Sequence, residues 1–505
     1  MNWFDDKKIA ILAIIGFILS TIPFFYLSHY ARPSSDDLGY AVLTRAAWLD
    51  SGSLWEVHKA ALQTVHNFYN GWAGEWLAFY INSLMPEVFM PYAFWVGCYF
   101  FILSIIVGTI IFLFYFFRRI FGIGWEYAAI LSVIILIFSM QYNPNNYISI
   151  YWFTGAVKYI LPQPIFLIAL VFASKFILTK SKKYIALLSI CALIVGGISY
   201  SHSLLIFVIF PILLLCIYKK AKHILWLLVP YAICVVAFLF QMIAPGNRVR
   251  AGSEFGLSFE SVFFTIFRSL KSEVIAPFQY LERVPLLSIA LIGIIVFGWL
   301  GMVKAVKGSR ALISFRYPFL YIVIMFLLNS ALNAPYIYAV DFMDVDNSTS
   351  GPMVVEYLFF FLTWASAILY LEGWLLKKFF WRDGFSQAGR LSFFTDESKY
   401  RRYLLFPSMV LCLLIIIFYK GNLKDSFAYQ TYVYVESGAA AEYKWRIAEY
   451  MEILLDESIE EVYLKPINDV QGPLLHWTVM EDETNYVNWA YKAFYRKKRV
   501  VLREE

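Results

Sequence analysis

Cysteine, charge and catalytic signature motifs are the scarce features of this 505-residue sequence. The five cysteines (Cys98, Cys191, Cys216, Cys234 and Cys412) all fall inside apolar stretches, which excludes a disulfide framework in the polar loops and a CxxC metal site. Charged residues make up 15% of the chain against 60% hydrophobic ones, and mean hydropathy is +0.63. That balance excludes an ordinary soluble globular protein. No Walker loop, GxGxxG, HExxH or GxSxG pattern occurs, so no motif points to P-loop, dinucleotide, zincin or hydrolase chemistry. No internal repeat is visible either, whereas transporters are often built from repeated halves. The net charge of +6 does not point to nucleic acid, because the basic residues cluster at the ends of apolar runs, where membrane topology requires them.

What the chain has in abundance is apolar runs long enough to cross a hydrocarbon core of roughly 30 Å. They lie near 8–28, 91–117, 125–141, 159–178, 184–200, 204–218, 223–243, 285–303, 315–332, 353–376 and 403–419. The fold class that follows is an all-α polytopic membrane protein with about 11 transmembrane helices. The first run, "KKIAILAIIGFILSTIPFFYLSHY", lacks a small-residue cleavage site and is read as an uncleaved first helix.

With those runs as spans, Lys7/Lys8, Arg118/Arg119, Lys180/Lys182/Lys183, Lys219/Lys220/Lys222, Lys304/Lys307/Arg310 and Lys377/Lys378 through Arg401/Arg402 all land on one side. The positive-inside rule makes that side the cytoplasm. The N-terminus is then cytoplasmic. The loops 29–90, 244–284 and 333–352 and the tail from 420 are then extracytoplasmic, and an exported surface without cysteine suits a bacterial plasma membrane. The weakest place in this alternation is 184–218, where two short spans must turn at "YSHS".

Two outside segments are amphipathic. Phe259, Val262, Phe263, Ile266, Phe267 and Leu270 follow helical spacing, as do Leu54, His58, Ala61, Leu62, Val65 and Tyr69. Such helices either lie in the interface plane or pack against spans. The membrane domain is therefore 1–419. Residues 420–505 differ in composition and read as a small α+β cap: a helix in "AAAEYKWRIAEYMEILL", a strand in "EEVYLKPI", a helix in "NYVNWAYKAFY" and then "KRVVL". So short a segment has little core of its own and needs support from the membrane domain.

The candidate chemistry lies on the outside. Asp36 and Asp37, in "ARPSSDDLGYA", can hold a divalent cation such as Mg or Mn, or one of them can take a proton from a hydroxyl. The bland alternative is a pair of solvated loop charges. Arg248 and Arg250 in "APGNRVRAG" run against the positive-inside trend and, with Asn247, sit just past a span. A guanidinium there suits bidentate phosphate binding, or contact with lipid headgroups. Lys158, after "YWFTGAV", can bind phosphate as a point charge or snorkel, and Trp152 and Phe153 read as interfacial belt residues. His202 is a turn histidine or a polar site group. His29, His58 and His66 lack metal-ligand spacing, and Asp341, Asp344 and Asp346 form an acidic loop.

Taken together, "PSSDDLGYA", "YWFTGAVKYILP", "SHS" and "APGNRVR" resemble the GT-C superfamily of membrane glycosyltransferases, in a bacterial branch of multi-pass members, over about the first 350 residues. The resemblance implies a polyprenyl-phosphate-sugar donor used on the outer face and an envelope polysaccharide, teichoic acid or glycolipid acceptor. It places the acidic motif on Asp36 and Asp37 and the phosphate-binding base on Arg248. No clear second DxD motif occurs in the next outside loop. A ligase or polymerase of lipid-linked glycans is the alternative enzyme. A lipid-linked-substrate transporter or flippase is the alternative from another class, and nearly charge-free spans without a repeat count against it.

Overall fold

A computed structural model describes residues 5–217, 222–251, 258–340, 351–380, 397–475, 477 and 479–503. Asp341, Asp344 and Asp346 lie outside the described residues. The structure is 79% helical, and eight described helices are long and apolar enough to cross a bilayer. These are Asp6–Ser28 (α1), Phe94–Ile120, Phe153–Thr179, Lys222–Met242, Leu287–Lys307, Pro318–Tyr338, Met353–Lys378 and Arg401–Phe418. Three shorter apolar helices, Trp125–Gln141, Lys183–Ile198 and Tyr200–Leu215, occupy the remaining runs. The two around "YSHS" separate at Ser199, whose backbone is extended (φ −133°, ψ 118°). The Ser203 hydroxyl then closes on the Ser199 carbonyl at 2.7 Å, so the turn takes a single residue.

The outer helices show why a membrane is needed. In Arg401–Phe418 only 6% of the apolar window is buried within the protein, and Leu12, Phe406 and Phe418 are each more than two-thirds exposed. Apolar surface left open on this scale needs hydrocarbon as its solvent.

The amphipathic segment at 259 forms the helix Phe259–Arg283. Its buried face is Ser269, Glu273, Ala276, Pro277 and Tyr280, while Phe259, Phe263, Ile266 and Phe267 are exposed. The apolar stripe therefore faces away from the protein, which favours the interfacial arrangement over packing against spans. The stripe in the first loop splits instead. On Leu54–Gly71 (α3), Val57, Ala61 and Thr64 are buried, while Leu54 and Leu62 point outward.

Termini of several spans meet at the basic end. The Asp6 carboxylate bridges Lys304 at 3.0 Å and Arg401 at 2.5 Å and accepts from the Tyr127 hydroxyl at 2.8 Å. Leu312 donates its N–H to Ile120 at 3.0 Å.

At the far end the tail folds back over the bundle. Two strands, β1 (Glu461–Leu464) and β2 (Arg499–Leu502), pair in parallel, with the helices Ala439–Leu455 and Tyr486–Phe494 beside them. The tail's buried residues continue the core of the spans: Phe427 stacks on Phe24 with centroids 4.2 Å apart, and Ala428 donates to Gln141 at 3.0 Å. Four-residue strands cannot enclose a core alone, and here the spans supply the rest of it.

Candidate functional site

The acidic loop is shaped before its helix begins. Pro33 fixes its own φ, and Ser35 takes a left-handed φ of 54°, an uncommon backbone state that needs outside support. The tail supplies that support. Ser35 donates its N–H to the Trp477 carbonyl at 2.9 Å, and the Trp477 N–H donates to the Ser34 hydroxyl at 2.6 Å. Helix α2 (Asp37–Ser51) then starts with Asp36 as its cap residue.

The two acids diverge. Asp37 is 1% exposed and accepts from Ser34 N–H at 3.1 Å, Thr154 N–H at 2.9 Å, the Thr154 hydroxyl at 2.7 Å and Phe153 N–H at 3.4 Å. Both of its oxygens are engaged in tying the loop to the 152–154 turn. Burial, with Asp36 beside it, raises its carboxyl to about 7, while the Thr154 and Ser34 donors pull the other way.

Asp36 keeps part of its surface open. It accepts from the Trp152 indole N–H at 3.1 Å. Burial raises its carboxyl above the usual carboxylate range, and the Lys158 ammonium, Trp152 and Tyr40 oppose that rise. Trp152, expected in the interfacial belt, is thus a ligand of the acid.

Lys158 pairs with Glu75 at 3.2 Å, both side chains largely buried, and sits over the Phe79 ring. It is carried by a π turn, Ala156–Ile160. Such wide turns interrupt α-helices at functional positions often enough to be a useful marker. Sequence reasoning missed Glu75. Its signal was there: a lone acid inside the apolar, tryptophan-flanked "GWAGEWLAFY". Around it stand Tyr40, Tyr159, Tyr200 and Tyr336, all within electrostatic reach of its carboxylate.

Asn247 is a clasp. Its side chain accepts from Gly74 N–H at 3.0 Å and from the Tyr200 hydroxyl at 3.4 Å, and donates to Gln241 and Met242 carbonyls. A Cβ on Gly74 would overlap the Gln241 carbonyl, and one on Gly246 the backbone of Trp72 and Ala73. The "WAGEW" and "APGNR" turns therefore interlock only because both positions are glycine, and Glu75 is placed as a result.

The arginines part company. Arg250 lies over Trp72 at 5.2 Å, and its charge reaches Tyr40, Tyr159 and Tyr200. Both arginines are exposed, no ion pair is seen for either among the described residues, and no aromatic ring lies under Arg248 among them. On a helix as short as Pro245–Ala251, positions two apart face opposite ways. His202 does not join the cluster. It is fully buried, its Nδ1 2.8 Å from the Ser199 hydroxyl, and its ring meets Phe166 and Phe359 edge-on. Its neighbour Tyr200 faces the site instead. His29 and His58 bond to Tyr99 and Tyr80.

The tail completes the arrangement. A Cβ on Gly39 would overlap the Tyr486 hydroxyl, so the tail helix docks on bare backbone beside Asp36. Burial raises the Tyr486 phenol, and the Asp36 charge adds to that rise.

A divalent cation shared by Asp36 and Asp37 does not suit this donor set. Asp37 has no lone pair free of an N–H or O–H donor on the loop side, and Trp152 and Tyr40 already donate to Asp36 within reach of the Lys158 charge. One span is less neutral than its composition suggests, with Glu356 and Glu372 buried within Pro352–Leu375, and Glu273 of Phe259–Arg283 is buried under the helix Pro318–Val340. No family model, curated protein or solved structure matches the chain.

Proposed function

We propose that this chain is an inverting-type membrane glycosyltransferase that moves a sugar from a polyprenyl-phosphate carrier to a hydroxyl of an envelope glycan, teichoic acid or glycolipid. The observation that carries the reading is the unequal treatment of two adjacent acids. Asp37 is spent on four donors, whereas Asp36 is partly open, raised above the ordinary carboxylate range, and set beside Lys158 with Arg250 near. Topology by charge, with about 11 spans, puts this end outside the cytoplasm of a bacterial plasma membrane.

In the reaction the acceptor oxygen attacks the anomeric carbon from the face opposite the phosphate. The bond from that carbon to the phosphate oxygen breaks, and its electron pair leaves with the polyprenyl phosphate. The hydroxyl proton passes to the Asp36 carboxylate, whose raised proton affinity suits a general base. Lys158 and Arg250 stabilise the charge that develops on the leaving phosphate. Glu75 orients Lys158. The residues themselves supply base and counter-charge, so no step is routed through a metal.

The test is transfer of a labelled sugar from synthetic polyprenyl-phosphate hexoses and pentoses to envelope extracts, using the purified chain in liposomes. An inverted linkage formed at the liposome face carrying Asp36 is expected. No transfer from any such donor, with the protein intact and folded, removes the reading.

A further inference from the structure

Away from Asp36, three helices bring polar side chains together in the bundle interior. Glu273 and Tyr280 share a face of Phe259–Arg283. Asn329 and Asn333, one turn apart on Pro318–Val340, face them, and Glu356 and Thr363 come from Pro352–Leu375. All six are at most 7% exposed. Asn329 donates to the Glu273 carboxylate at 3.0 Å and to the Thr363 hydroxyl at 2.9 Å. The carboxylates of Glu273 and Glu356 lie within electrostatic reach of each other and of the Tyr280 hydroxyl, with the Asn333 amide beside Glu356.

Several oxygens of this set have no hydrogen-bond partner: Asn329 Oδ1, Glu356 Oε1 and the Tyr280 hydroxyl. Orphaned polar atoms inside an apolar bundle are costly, since no solvent there can satisfy them. Neither carboxylate has an ion-pair partner among the described residues, and the Arg283 charge acts on Tyr280. Intramembrane acids without a base call for a bound counter-charge or a proton.

We propose that this cluster binds one calcium ion. The atoms it leaves unpartnered are hard oxygens, from a carboxylate, an amide carbonyl and a phenol, with the second carboxylate beside them, which suits a cation of class Ca²⁺ rather than a softer metal. Two carboxylates match its charge, and mixed carboxylate, carbonyl and hydroxyl ligation at irregular angles suits its flexible shell better than the strict octahedron of Mg²⁺. Glu356 stands near the start of its helix, four residues after Pro352. The site is independent of the transfer reaction and holds the three helices in register.

The experiment is thermal unfolding of the purified full chain in detergent, chelator-treated and then titrated with CaCl₂, MgCl₂ or NaCl, alongside ⁴⁵Ca equilibrium binding. The parent is expected to gain a few degrees in Tm with Ca²⁺ and to bind one ion per chain. Glu356→Gln, which keeps the shape and removes a buried charge, is expected to be at least as stable as the parent in chelator yet to lose both the shift and the bound ion. Asp36→Asn should keep both, which separates this site from the transfer site. A parent that does not respond to Ca²⁺, a shift with Na⁺ alone, or an unchanged shift in Glu356→Gln overturns the assignment. An unresponsive parent leaves the two acids sharing a proton.

Discussion

The two ends of the bundle treat their carboxylates differently. At the basic end Asp6 is saturated by Lys304, Arg401 and the Tyr127 hydroxyl. At the other end Asp37 is equally saturated, by backbone and threonine donors, but its neighbour Asp36 is held by the Trp152 indole and the Tyr40 hydroxyl and keeps an open side. A saturated carboxylate gains its hydrogen bonds in the ground state and has none left to offer a reactant. The under-satisfied one is free to act. Pairing alone therefore says little about function, since partly buried ion pairs contribute little net stability. The count of unused lone pairs says more.

The sharpest way to break this comparison is to neutralise one acid at each end. Asp36→Asn is expected to lower sugar transfer by about 10²–10⁴-fold with unchanged Tm, the usual cost of removing a general base. Asp6→Asn should leave transfer at the parent rate. Equal effects in abundance-matched liposomes would make Asp36 another structural carboxylate.

Next in size is Asp37→Asn. The new amide turns an amino group toward donors, so at least one of the N–H groups of Ser34, Phe153 and Thr154 is stranded in a buried setting. A stability loss of about 1–3 kcal/mol is expected, read as a lowered Tm, with transfer falling in step with the folded fraction. Loss of transfer at full Tm would move the base to Asp37.

Arg250→Ala and Arg248→Ala separate the two guanidiniums. The first should weaken donor binding by about 1.5–3 kcal/mol, the scale of one charge-assisted contact, and the second by much less. The comparison is made on donor KM in the same liposomes. The reverse order would return phosphate binding to Arg248, where the resemblance put it.

The smallest effect is a shift in pH profile. The base must be deprotonated, so transfer falls as pH drops through the raised Asp36 value, and the Lys158 ammonium holds that value down. Lys158→Met lowers transfer at every pH, because the leaving phosphate loses a counter-charge; the small effect read here is the further move of the acid limb of the rate profile to higher pH, which costs more activity at pH 6 than at pH 8. An unmoved limb would show that Asp36 does not set it.

The fold was legible where hydropathy alone decides. Each apolar run coincides with a described helix, most of them within a few residues of their expected ends, with Pro318–Val340 running eight residues past its own, because in hydrocarbon every backbone group must be bonded within its own segment. The tail strand at 461 was legible as "EEVYLKPI", whereas the one at 499, in "KRVVL", carried no strand reading of its own. The site was legible only as a pair of acids, a lysine and a set of outside arginines. Glu75 was overlooked because a single acid in an apolar window carries no period. The Trp152 bond was invisible because its partner lies more than a hundred residues away.

The sequence by itself determined that the chain is a polytopic helical protein, and which residues are polar at the ends of its runs, since burial of apolar length is a local, additive property. Tertiary structure alone decided that Asp36 and not Asp37 is open, that Arg250 and not Arg248 faces the tyrosines, and that Glu273 and Glu356 meet inside the bundle. Each of those outcomes depends on which donors are brought within about 3 Å by packing, and hydrogen-bond saturation at that range is set by partners distant in the chain, not by neighbours in it.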